Sequence, residues 1–153
     1  MEEETEGDPA EVALVNARRK AEAVPGALVL GADTVVAAGD AILGKPADAA
    51  EAREHLTRLS GRAHAVIGGF ALVADGELVL DGVERTLVTF RALTPELLDW
   101  YLATDEWQGR AGGYAIQGAG AALVTGIEGD YLNVVGLPLT RLLDARPDLL
   151  PAA

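Results

Sequence analysis

Asp33 and Thr34 stand side by side in an otherwise apolar run, Leu30-Gly31-Ala32-Asp33-Thr34-Val35-Val36, and Lys45 follows within a dozen residues at the Gly44-Lys45-Pro46 backbone break. The run has the character of a buried strand, where an ionised carboxylate costs several kcal/mol unless a cation, a metal ion or hydrogen-bond donors meet it. Lys45 and a divalent ion are the expected partners, with a strand-end carboxylate capping nearby backbone as the structural alternative. Taken alone, Lys45 reads first as a solvated turn residue with a phosphate clamp as the alternative, and Lys20 reads first as a helix-surface lysine; a small polyanionic ligand would need such local cations. Two further stretches carry polar groups beside glycines that permit close backbone approach. In Ala111-Gly112-Gly113-Tyr114-Ala115-Ile116-Gln117-Gly118, Gln117 offers a donor and an acceptor that can read a base edge. Gly129-Asp130-Tyr131-Leu132-Asn133-Val134-Val135-Gly136-Leu137-Pro138-Leu139 reads as a loop running into a helix.

These groups must be positioned by elements with recognisable boundaries. Asp8-Pro9-Ala10-Glu11 starts a helix running to about Val24, with Ala10, Leu14, Ala17, Ala21 and Val24 as a small-residue face. Residues 27–38 and 41–43 read as strands around the Gly39-Asp40 turn. Asp48-Ala49-Ala50-Glu51 caps a second helix with Ala52, Leu56 and Leu59 on its buried stripe, ending at Gly61. Strands are expected over 65–74 and 77–80 around Asp75-Gly76, and again over 85–90. Thr94-Pro95-Glu96 opens a third helix, a polar loop covers 104–113, a strand covers 121–127, and a last helix covers 139–145. Helices interleaved with strands predict an α/β fold with a mixed sheet, in one domain spanning residues 1–153.

The 153-residue chain is 50% hydrophobic, enough for a core, and its net charge of −12 with no basic surface excess argues against nucleic acid as partner. No apolar stretch reaches the roughly 18 residues of a membrane helix, and the acidic start, Glu2 to Glu6, is unlike a secretory signal, so a cytoplasmic location is expected. With no cysteine, thiolate metal sites and cysteine nucleophiles are excluded. The sole serine, Ser60, lacks a Gly-X-Ser-X-Gly setting. Gly39 to Lys45 matches a P-loop until Pro46 takes the place of the magnesium-binding hydroxyl, and Gly118-Ala119-Gly120 begins like a dinucleotide fingerprint but reads as a tight turn. His55 and His64 lack metal-site spacing and read as incidental. Trp100 and Tyr101 suit helix packing, and Trp107 suits anchoring of the polar loop with a ligand border as the alternative.

Taken in order, Ala17-Arg18-Arg19-Lys20-Ala21, Gly31 to Val36, Leu43-Gly44-Lys45-Pro46, Leu59-Ser60-Gly61, Ala111 to Gly118 and Asn133 to Leu139 closely resemble the Maf family of nucleoside triphosphate pyrophosphatases. The resemblance covers Asp8 to the C-terminus. It implies an α/β fold like that of inosine triphosphate pyrophosphatase, with a mixed sheet flanked by helices and a nucleotide cleft between two lobes. It also implies hydrolysis of a nucleoside triphosphate substrate to monophosphate and pyrophosphate with magnesium or manganese, a house-cleaning role linked to septum formation, and a possible homodimer. By that resemblance Asp33 is the proton acceptor and a metal ligand, Lys20 and Lys45 face the triphosphate, and Thr34 and Gln117 set selectivity for dTTP and UTP. The family's opening strand and Ser-X-Ser-Pro-Arg-Arg loop have no counterpart in this sequence, so the expectation is an N-terminally incomplete member whose site lacks those arginines. The acidic run Glu2 to Glu6 would retain the end of the family's Asp-Glu element, with no particular glutamate aligned. A nucleotide-binding or division-regulating protein without turnover is the competing expectation.

Overall fold

The computed structural model describes residues 3–151; Met1 and Glu2, at the start of the acidic run, lie outside it, as do Ala152 and Ala153. Helix α1 (Pro9–Glu22) starts where expected: the Asp8 side chain accepts the Glu11 N–H at 3.1 Å and proline occupies the first turn. Strands β1 (Leu28–Ala38) and β2 (Ala41–Leu43) form a tight hairpin, and α2 (Ala49–Leu59), capped by Asp48, leads to β3 (Ala63–Ala74). Strand β4 (Glu77–Phe90) returns from β3 through Asp75-Gly76, both with positive φ as a two-residue hairpin turn requires. Then come α3 (Pro95–Leu102), short 3₁₀ turns at Ala111–Gly113 and Ala119–Leu123, β5 (Val124–Glu128), α4 (Tyr131–Val135), α5 (Leu139–Ala145) and a last 3₁₀ turn.

The sheet, flanked by helices as the α/β reading expects, has strand order β2-β1-β3-β4-β5. Where a mixed sheet was expected, all four pairings among the described strands are antiparallel. The α2 crossover does join two parallel strands, β2 and β3. Because β2 folds back from β1 before α2 starts, β1 lies between them and neither parallel strand bonds to the other.

The face of α1 differs from the predicted one. Ala13, Ala17 and Ala21 are fully buried with Val12 and Asn16, whereas Leu14 is half-buried and Val24 lies past the helix end, exposed. Glycines in the sheet decide this. A Cβ on Gly31 would lie 2.1 Å from the Ala17 carbonyl oxygen, and one on Gly69 would lie 2.5 Å from that of Ala13. Two side-chain-free positions on adjacent strands thus let the alanine stripe press its backbone against the sheet. The opposite sheet face buries Val36, Val66, Val88 and Phe90 under α2, α3 and the loop after it, with Leu56, Leu59, Leu98, Tyr101, Trp107 and Tyr114 completing this larger core.

Strand β4 is continuous where two pieces were predicted. Gly82, which resembles a break in sequence, is a packing position: a Cβ there would meet the Phe70 ring at 2.6 Å. The predicted strand over 121–127 begins only at Val124, because residues 119–123 form a 3₁₀ turn whose Gly120 sits against the Ala115 backbone. Helix α4, within the expected loop, is one turn too short to show periodicity and is capped by Asp130, which accepts the Leu132 N–H at 2.9 Å.

Candidate functional site

Asp33 lies mid-strand, not at a strand end, and only 8% of it is exposed. Its carboxylate accepts from the side chains of α1: Lys20 Nζ donates to Oδ1 at 2.8 Å and Asn16 Nδ2 to Oδ2 at 3.1 Å. Lys20, not Lys45, is therefore the partner of the buried charge, because the Gly31 contact sets α1 directly over this part of β1. Lys45, on the loop after β2, instead approaches Glu3, whose Oε1 lies 3.9 Å from Lys45 Nζ and 2.9 Å from Lys20 Nζ. Both lysines of the chain thus meet around one pair of carboxylates. The segment bearing Glu3 is tied down by Asn16, which donates to the Glu4 carbonyl at 2.9 Å and accepts the Glu4 N–H at 2.6 Å. Asn16 and Glu3 were missed in the sequence, where an asparagine among helix residues and one glutamate of an acidic run carry no signature.

Burial works against the Lys20 ammonium, but the hydrogen bonds and charges of Asp33 and Glu3 outweigh it and raise its pKa. The bond from Lys20 lowers the Glu3 carboxyl despite partial burial. At neutral pH Lys20 and Glu3 are therefore both ionised.

The strand pleat points Asp33 toward α1 and Thr34 toward the other sheet face. They nevertheless border one cleft of about 200 Å³, also lined by Lys20, Lys45, Arg110 and Gln117. This is possible because β2 pairs with β1 only from Val36 onward, so beside Thr34 the outer edge of β1 has no strand neighbour among the described residues. The cleft wraps around that edge. Its far wall comes from the 110–118 loop, which is joined to the lysine loop by a hydrogen bond from the Gly112 N–H to the Gly44 carbonyl at 3.2 Å. Gly112 has φ 73° and lies against Val36, where a Cβ would sit 3.0 Å from a methyl. Val134 and Val135 of α4 close another side. Asn133 holds that helix down, donating to Val66 O at 3.1 Å, Glu84 O at 3.2 Å and Thr86 Oγ1 at 3.1 Å.

All five residues singled out in the sequence, Lys20, Asp33, Thr34, Lys45 and Gln117, therefore face the same cleft. Trp107 anchors the loop in the core, its indole N–H donating to Leu102 O at 3.2 Å. His64 is not incidental: it is buried and shares a 2.6 Å hydrogen bond with the hydroxyl of Tyr114, a cleft-lining residue, while its ring meets Phe90 edge-on. Burial pushes the His64 imidazole down from 6.5 to about 4. Because the folded pKa lies below the unfolded one, the unfolded chain binds the extra proton first, and stability present above pH 6.5 is lost as pH falls toward 4. Between pH 7 and 4.5 this group is expected to cost about 2 kcal/mol. Urea unfolding of the wild type and His64→Phe at both pH values checks it; an equal acid loss in the variant would assign the effect elsewhere.

The helix-flanked antiparallel sheet, with both lysines and Asp33 lining a cleft at its open edge, defines an α/β protein. The chain belongs to the Maf family: residues 1–146 match the family described as Maf-like protein. It is 47% identical over 138 residues to a protein of Pyrococcus furiosus named dTTP/UTP pyrophosphatase, covering 88% of this chain and 72% of that one. A Symbiobacterium thermophilum protein of the same name is 54% identical, covering 87% and 70%. One from Bacillus cytotoxicus, again of that name, is 49% identical over 148 residues, covering 92% and 77%. Among the described residues no helix is long and apolar enough to cross a membrane.

Proposed function

We propose that the chain hydrolyses dTTP and UTP to the monophosphate and pyrophosphate. The observation that carries this reading is the convergence of Lys20, Lys45 and Asp33 in one cleft whose walls present Thr34 and Gln117, with Glu3 approaching both lysines. The names of the relatives supply the nucleotide class. Lys20 and Lys45 bind the triphosphate and stabilise the charge that develops on pyrophosphate as the α–β anhydride bond breaks. Asp33 accepts the proton of the attacking water. Thr34 and Gln117 offer hydrogen-bonding groups to the pyrimidine edge.

A divalent cation fits the residues present. Asp33 and Glu3 converge on the Lys20 ammonium at 2.8 and 2.9 Å, so two hard oxygen donors lie near each other where substrate phosphates would add more. Among the described residues no cluster of three or more histidine or acidic side chains forms a closed cage, and one or two carboxylates completed by phosphate oxygens suit magnesium or manganese. Such an ion, bound there, would acidify the attacking water and neutralise phosphate charge. The remaining work falls to the chain: Asn16 and Lys20 hold the Asp33 carboxylate in place, and the two lysines draw the triphosphate into an otherwise acidic protein.

The test is pyrophosphate release from dTTP, UTP, dCTP, ATP and GTP with magnesium or manganese and after chelation. Release that favours dTTP and UTP and ceases with chelator is expected. Binding without release from any nucleotide would support a non-hydrolytic protein instead.

A further inference from the structure

We propose that Tyr101 and Glu106 form a positioning unit that fixes the Gln117 turn and thereby sets the cleft's base selectivity without touching the nucleotide. This rests on the reading of Gln117 as a base-contacting residue. Gln117 is exposed, on a turn closed by the Gly118 N–H donating to the Ala115 carbonyl at 3.2 Å. With glycine following it, such a turn has many accessible conformations unless its ends are held.

Both ends are held, and by one connected pair of side chains. Before the turn, the Ala115 N–H donates to the Tyr101 hydroxyl oxygen at 3.0 Å. After it, the N–H groups of Ala119 and Gly120 donate to Glu106 Oε2 and Oε1 at 2.9 and 3.0 Å. The Tyr101 hydroxyl donates to Glu106 Oε1 at 3.0 Å, which joins the two grips. Tyr101 is fully buried on α3, so the network is anchored in the core. Gly118 leaves room for it: a Cβ there would lie 2.3 Å from Glu106 Oε2. Burial pushes the Glu106 carboxyl up, but the N–H groups of Gly120 and Ala119 and the Tyr101 hydroxyl outweigh it and hold it below the usual range. At neutral pH these are hydrogen bonds to a charged acceptor, the stronger kind. Neither Tyr101 nor Glu106 lines the cleft. What they control there is the attitude of Gln117.

The test measures binding by calorimetry with α,β-imido analogues of dTTP and dGTP, together with inorganic tripolyphosphate, so that no turnover is needed. Glu106→Gln keeps the side-chain shape but turns an amide N–H₂ toward donors. It is expected to lower the preference for the dTTP analogue about tenfold while leaving tripolyphosphate affinity unchanged. Tyr101→Phe should act in the same direction. Glu106→Gln combined with Gln117→Ala should be no less selective than Gln117→Ala alone, since the first residue acts through the second. Loss of selectivity in Gln117→Ala but not in Glu106→Gln or Tyr101→Phe overturns the positioning role and leaves the base reading standing. Tripolyphosphate binding that falls along with selectivity also overturns it, because that marks general disruption. Unchanged selectivity in Gln117→Ala, or none in the wild type, defeats the base reading and this inference together.

Discussion

Asp33→Asn is expected to slow pyrophosphate release from dTTP about 10³-fold with little change in KM. Asparagine reproduces the shape of the side chain, and its carbonyl can still accept from Lys20 or Asn16, so substrate contacts elsewhere persist. What disappears is the negative charge that accepts the proton of water and serves as one of two hard oxygen donors beside Lys20. The ammonium is not left alone, because Glu3 remains 2.9 Å away. That matters, since a buried charge stripped of its only partner would cost several kcal/mol and confuse loss of chemistry with loss of fold. Steady-state kinetics alongside a thermal melt separates the two. A variant that melts like the wild type and turns over within twofold of it would remove Asp33 from the proton-accepting role.

The second large effect comes from a residue without a side chain. Gly31→Ala places a methyl 2.1 Å from the Ala17 carbonyl oxygen, 2.7 Å from the Ala21 nitrogen and 2.9 Å from the Ala21 Cβ. Two of these three are backbone atoms of a helix, so no flexible side chain can yield, and α1 must lift from the sheet. Overpacking of this kind costs about 3 kcal/mol, which lowers the melting temperature by about 10 °C in a chain of this size. The lift also separates Lys20 and Asn16 from Asp33, so activity should fall about tenfold even at temperatures where the variant is folded. Gly126→Ala, where an added Cβ meets nothing within 4 Å, is the control and should change stability by less than about 0.5 kcal/mol. A Gly31→Ala protein that melts within 2 °C of the wild type would contradict the close helix–strand contact.

Local chemistry made much of the fold legible. Asp8-Pro9, Asp48 with Glu51, Asp75-Gly76 and Thr94-Pro95 act over three or four residues, and each marks the element boundary its cap or turn chemistry predicts. The errors fall where a distant contact overrides a local signal. Gly82 resembles a break but accommodates the Phe70 ring, and residues 121–123 look like the start of a strand although they complete the 3₁₀ turn whose first N–H groups, those of Ala119 and Gly120, are taken by the distant Glu106 carboxylate. The face of α1 was misplaced for the same reason: its alanines satisfy more than one stripe, and only Gly31 and Gly69 on the sheet select Ala13, Ala17 and Ala21.

Residue types and order by themselves determined the helix-flanked α/β class, the family resemblance and the five residues Lys20, Asp33, Thr34, Lys45 and Gln117 that face the cleft. Those are properties of short segments, and short segments can be read one at a time. Partnership was decided only by tertiary structure. Lys20 rather than Lys45 meets Asp33, Glu3 is singled out from an acidic run, His64 backs Tyr114, and Asp33 and Thr34 share one cleft although the pleat points them apart. Each of these depends on how closely α1 approaches β1 and on where β2 stops pairing, distances set by packing between segments far apart in the chain.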